Sequence, residues 1–263
     1  MSAPWTTTVN GGALATLRRS CPPASPDHWR PCAECGAPLR WDMTACTGHP
    51  SHPAPDHRPR LYATITGTRR NLCEMARCGY RLLTTPEHLS RGVPPWAYAL
   101  DNGAWGAHAR GEPFDGDRFL RAVDALGPLA DWIVVPDLVC GGLESLDLSL
   151  SWLPRLRGAG MLLLPVQDGM EAAHVAELLG PEVGIFVGGS TEWKEATMAR
   201  WAAFARSRGA YCHVGRVNTQ RRLAMVVEAG ADSCDGTTAT RFAVTAAPLA
   251  SAACQRPLFG GAP

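Results

Sequence analysis

Three aspartates, Asp101, Asp137 and Asp235, each stand at the end of a short apolar run. A carboxylate so placed suits proton transfer or attack on an electrophilic carbon. Gln167, the pair Gly188 and Gly189, and His213 also close apolar runs, in chain order between Asp137 and Asp235. In residues 230–241, GADSCDGTTATR, Asp235 precedes a hydroxyl-rich run, a pattern that fits a reacting carboxylate or the N-cap of the next helix. A second group sits near the N-terminus. Cys32-x2-Cys35, ten residues and Cys46-x2-His49 have the spacing of two zinc knuckles supplying a tetrahedral Cys3His site, with His52 or Cys21 as alternatives to His49.

The elements that must position these residues change character along the chain. Residues 1–60 are rich in proline, cysteine and histidine with little apolar periodicity, so the segment is expected to be a small module folded around structural Zn2+. From residue 61 to 263, apolar runs alternate with amphipathic stretches, the signature of βα units around a parallel sheet. Eight strands are predicted, over 61–66, 80–83, 96–100, 132–136, 161–166, 183–187, 210–214 and 231–234. Eight is the number that closes a (β/α)8, TIM-like barrel. Helices intervene, with Met198, Trp201, Ala202 and Ala205 on one face of one, and Leu223, Val226 and Val227 on another that Thr219 caps. In such a barrel the polar residues at successive strand ends gather on one rim, the face where this fold does its chemistry.

The 263 residues, 46% hydrophobic, suffice for one large core. A formal net charge of +1 excludes a polycation, so nucleic acid would have to meet a local patch. Of 25 basic residues only Lys194 is a lysine, and arginine suits phosphate contacts. The N-terminus lacks a signal-peptide pattern and no run is long enough to span a bilayer, which predicts a cytoplasmic protein without membrane contact. In that compartment the ten cysteines are expected to bind metal or to be buried rather than to form disulfides.

Residues 100–105, LDNGAW, resemble the Asp-Ser-Gly-Gly-aromatic motif of the tRNA-guanine transglycosylase superfamily, especially its phage and bacterial branch that places 7-deazaguanines in DNA. VQDG at 166–169 is similar to that family's Val-Gln-Gly segment, FVGGS at 186–190 to its Gly-Gly loop, and 213–217 with GADSCDGTTATR to its Gly-Val-Gly turn and Gly-x-Asp-x-x-Asp and Thr-Arg motifs. The likeness covers residues 96–241. It implies that Asp235 is the nucleophile, capturing C1′ of a guanine nucleotide as a covalent glycosyl-enzyme, with Asp232 as the rival for that role. Asp101 would protonate the departing guanine and deprotonate the incoming base, which needs a pKa moved toward neutrality by burial near other carboxylates. Asp137 would accept the guanine N1 and N2 hydrogens, Gln167 and the Gly189 N–H would hold O6, Trp105 would stack on the base, and part of 211–214, including His213, would cover its other face.

The resemblance implies DNA as polymer partner, with tRNA as the alternative, a free 7-deazaguanine base as second substrate, and a homodimer as one possible assembly. Family members that act on tRNA carry zinc late in the chain, whereas the cysteines here come first. The short remainder after the Thr-Arg pair favours DNA over tRNA. Where queuine-type enzymes place an acidic residue after the Gly-Gly loop this chain has Lys194, so the incoming base is expected to carry a neutral substituent, as 7-cyano-7-deazaguanine does. The remaining alternative is a non-catalytic, zinc-containing nucleic-acid-binding protein.

Overall fold

The computed structural model describes residues 29–31, 38–40, 58–66 and 68–254. Cys21, Cys32, Cys35, Cys46, His49 and His52 fall outside them, and with them the expected zinc site. Strands β1 (Trp29–Pro31) and β2 (Pro38–Arg40) form an antiparallel pair.

The larger part is an α/β barrel of eight parallel strands: β3 (Arg60–Thr64), β4 (Arg81–Thr84), β5 (Tyr98–Leu100), β6 (Ile133–Val134), β7 (Leu162–Val166), β8 (Val183–Val187), β9 (Cys212–Val214) and β10 (Ser233–Gly236), with β10 closing on β3. Helices α1 (Arg69–Arg77), α2 (Ala104–Arg110), α3 (Gly116–Leu126), α4 (Gly142–Leu156), α5 (Ala172–Val175), α6 (Thr191–Ser207), α7 (Gln220–Ala229), α8 (Thr238–Arg241) and α9 (Ala246–Ala253) complete it. All eight predicted strands are present, and the TIM-like architecture follows from them.

Alternation along the strands explains the layering. Leu61, Ala63, Leu82, Leu100, Ile133, Leu164, Ile185 and Cys234 belong to two clusters shared with helix residues such as Met75, Phe119, Met198, Trp201 and Val226. Their neighbours in sequence point the other way: Tyr62, Leu83, Ala99, Trp132, Val134, Leu163 and Tyr211 pack into a third cluster in the barrel lumen, joined by Phe186. The lumen is therefore filled with side chains. Capping agrees with the predicted helices: Thr219 Oγ1 accepts the Arg222 N–H at the start of α7, and Ser190 Oγ accepts that of Trp193 at the start of α6.

Two expectations about punctuation differ. Asp235 lies inside β10 rather than beyond it, because the lumen accepts a polar side chain where a two-sided apolar environment would not. Cys73 is disulfide-bonded, against the expectation for the cysteines, whereas Cys140, Cys212, Cys234 and Cys254 carry free thiols.

Candidate active site

Asp101 follows β5 directly, Gln167 follows β7, and Asp137 follows β6 by three residues, so all reach the C-terminal rim that Asp235 approaches from within β10. Asp101 has its pKa raised to about 7: desolvation is the largest cause, the charges of Asp235 and Asp137 add to it, and the Gly103 N–H bond opposes it. That bond, 2.7 Å to Asp101 Oδ1, fixes the carboxyl against the turn opening α2. Gly103 adopts φ 81° there, a left-handed backbone that a side chain would strain. Burial also pushes the Asp137 carboxyl up, opposed by hydrogen bonds from Asn102 and Gln167 and by the Arg216 charge. Three carboxylates thus share one rim and one field.

Asp137 is held from every side. Asn102 Nδ2 donates to its Oδ1 at 2.8 Å and to Val135 O at 2.9 Å, while Asn102 Oδ1 accepts the Ala104 N–H. Gln167 Nε2 donates to Asp137 Oδ2 at 2.7 Å and lies 2.9 Å from Leu138 O and 3.0 Å from Ser145 Oγ. The amide must face this way, since the reverse would set its oxygen against a carboxylate and a carbonyl. Ser145 and Ser149, fully buried one turn apart on α4, pin the chain on both sides of Asp137: Ser145 Oγ accepts the Leu138 N–H and Ser149 Oγ donates to Pro136 O. The Gln167 nitrogen expected to hold a base O6 is therefore committed to Asp137. Its buried Oε1 has no hydrogen-bond partner among the described residues.

Asp235 is 7% exposed. Its Oδ1 accepts from His213 Nε2 at 3.0 Å and from the Arg216 N–H at 3.2 Å. Lys194 on α6 is also buried and donates from Nζ to Gly215 O at 2.6 Å. Its pKa falls to about 8, through desolvation first and the Arg216 charge second, with Asp235 acting the other way. The ammonium thus braces the turn between β9 and α7 that delivers the Arg216 amide to Asp235. Arg216 is one of two non-glycine residues described with positive φ, 59°. That conformation carries its guanidinium to Gly189 O, at 2.5 Å, and over the Trp105 ring, 4.4 Å from the centroid. Trp105 itself is half exposed at the mouth.

Gly188 donates its N–H to Val166 O, which carries β8 on past its last strand residue. Gly189, at φ 73°, leaves no room for a Cβ, which would run into Asp168 Oδ2. Desolvation would push Asp168 up, but the hydroxyl and N–H of Ser190 hold it below its ordinary value. Asp168, between Gln167 and the Gly-Gly loop, is a rim residue that the motif reading passed over. Asn102, Ser145 and Ser149 are others, and only Asn102, beside Asp101 in LDNGAW, had a signal in its place.

Two expected site residues stand elsewhere. Asp232 precedes β10, so it lies on the opposite side of the strand from Asp235 and roughly 10 Å nearer the other end of the barrel. There its Oδ2 accepts the Cys212 N–H at 2.8 Å and its carbonyl accepts the Arg60 N–H. In this position it stands apart from the rim that carries Asp101, Asp137 and Asp235. His213, expected to cover one face of a base, is completely buried beneath Asp235, since its place in β9 turns it into the lumen.

Among the described residues no group of three or more His, Cys, Asp or Glu side chains is arranged to hold a metal ion, and no helix is long and apolar enough to cross a membrane. Comparison with protein-family models gave no match, nor did comparison with curated protein sequences.

Proposed function

We propose that the rim performs guanine exchange: the chain is a DNA-guanine transglycosylase that replaces guanine with a 7-deazaguanine base through a covalent intermediate on Asp235. The observation that carries this reading is the division of labour between two neighbouring carboxyls. Asp235 is fixed at the barrel end by two donors to one oxygen, while Asp101, in the same field, is pushed to about 7, where it can both give and take a proton at neutral pH.

The base would leave C1′ as Asp235 forms its bond there, taking a proton from Asp101. The incoming base would then displace Asp235 and return a proton to Asp101. Two displacements at C1′ retain configuration. Asp137, held by Asn102 and Gln167, would accept from the guanine N1 and N2 groups, which separates guanine from adenine. Trp105 would stack on a base flipped out of the duplex, at a cost of a few kcal/mol for flipping that stacking and hydrogen bonding offset. Arg216 now lies on that ring, so a base taking the same face displaces the guanidinium toward the phosphates. The Cys32, Cys35, Cys46 and His49 module would hold structural zinc, which metal analysis of the purified chain measures.

The test is incubation with labelled 7-cyano-7-deazaguanine and either duplex DNA or tRNA, followed by digestion to nucleosides. Label in DNA is expected. Label in tRNA alone changes the polymer, label in neither points to a binding protein, and ready uptake of the aminomethyl base removes the preference for a neutral substituent.

A further inference from the structure

His213 has both ring nitrogens engaged although no solvent reaches it. Nδ1 lies 2.7 Å from Ser233 Oγ and Nε2 lies 3.0 Å from Asp235 Oδ1. The arrangement follows from the strands: His213 on β9 is in register with Ser233 on β10, and Asp235, two residues on, faces the same way. The imidazole is wedged between Trp132, with ring centroids 4.6 Å apart, and Phe186, stacked at 4.9 Å, with the edge of Tyr62 closing a third side. The ring therefore cannot turn without opening the lumen.

In the transglycosylase reading Asp235 attacks as a carboxylate, which only accepts, so Nε2 carries the hydrogen. Burial lowers the His213 pKa against the pull of Asp235, which keeps the ring neutral and leaves Nδ1 to accept the Ser233 hydroxyl. With the Arg216 N–H added, Asp235 Oδ1 takes two donors, whereas among the described residues no hydrogen bond reaches Oδ2.

We infer that Ser233 and His213 form a positioning relay that ties Asp235 Oδ1 into the lumen and presents Oδ2 as the oxygen that bonds to C1′. This rests on the transglycosylase reading. In the first step an Oδ2 electron pair forms the bond to C1′ while the bond from C1′ to the base nitrogen breaks, and its electrons leave with the base, which Asp101 protonates. In the second step the incoming nitrogen bonds to C1′, the C1′–Oδ2 bond breaks, its electrons return to Asp235, and the nitrogen's proton passes to Asp101. A neutral N–H stabilises the carboxylate as it leaves. An imidazolium would stabilise it more, but would quench its attack in the first step.

Two measurements test this. Long-range 1H–15N spectra of the full chain, with His213 assigned by its loss in His213→Gln, are expected to show a neutral Nε2–H tautomer at neutral pH and above. An Nδ1–H tautomer or an imidazolium in that range overturns the relay. Kinetically, the Gln amide nitrogen stands near the place of Nε2, so His213→Gln should keep turnover within ~10-fold, while His213→Leu should lose ~100-fold in kcat with KM for the base nearly unchanged. Equal losses in the two variants, or a loss confined to KM, contradict it. A wild-type chain that exchanges no base removes the transglycosylase reading, and the tautomer spectrum then decides the relay by itself.

Discussion

The two ends of the barrel lumen treat carboxylates in opposite ways. At the N-terminal end Asp131 is answered by the Arg81 guanidinium and by the Tyr62 hydroxyl at 2.9 Å. At the C-terminal end Asp101, Asp137 and Asp235 share one field, and among the described residues none of them forms an ion pair with an arginine or lysine. A partly buried carboxylate closed by a cation contributes to the stability of the fold, whereas carboxylates crowded without one cost stability and gain reactivity. The difference sets a paired, scaffold-like end against the end on which the proposed exchange rests.

Exchanging the same substitution between the ends gives the largest contrast. Asp235→Asn should lose about 10⁴-fold or more in base exchange with little change in melting temperature. Asp131→Asn should leave kcat of the folded fraction intact and cost about 3 kcal/mol of stability, because it strands Arg81 beside Tyr62. Denaturant unfolding and exchange kinetics on both variants check the pair, and reversed profiles would break the comparison.

Asp101→Asn joins both effects. Its carboxyl has a pKa of about 7 in the fold against an ordinary 3.8, so the protonated form is favoured on folding. The wild-type advantage from that group is complete below about pH 4 and is lost as pH rises through 7. Asn cannot ionise, so the variant should be more stable than wild type by about 2–4 kcal/mol at pH 8 and by about 1 kcal/mol or less at pH 4.5. It should also lose about 10²–10³-fold in exchange. Wild-type kcat/KM should fall on the alkaline side near pH 7, as Asp101 loses the proton it must donate.

Gly189→Ala should cost the fold about 1–2 kcal/mol, less than Asp131→Asn, since a Cβ strains the backbone at φ 73° and strikes Asp168. By displacing the carbonyl that Arg216 holds, it should weaken base binding more than it slows turnover. A KM effect smaller than the kcat effect would detach Arg216 from the binding face.

How much of this was legible depended on whether a property was local. All eight strands were, because apolar runs of strand length recur between amphipathic stretches. Their starts were less so: Trp96, read as the first residue of a strand, lies outside β5 and donates its indole N–H to Tyr80 O. The four rim residues Asp101, Asp137, Gln167 and Asp235 were legible as polar residues ending apolar runs. Their supports were not. Asn102 meets Asp137 across 35 residues of chain and Gln167 meets Ser145 across 22, and two serines a turn apart on a helix carry no sign of what they will face. Asp232 misled because a family-like motif prints it beside Asp235, whereas strand alternation sends the two to opposite sides.

The central claim is that Asp235 bonds to the sugar. Wild-type protein mixed with guanine-containing duplex DNA, denatured rapidly and digested, should yield one peptide bearing a deoxyribosyl adduct, mapped by mass spectrometry to Asp235 and absent from Asp235→Asn. An adduct on another residue, or one that persists in Asp235→Asn, contradicts the account.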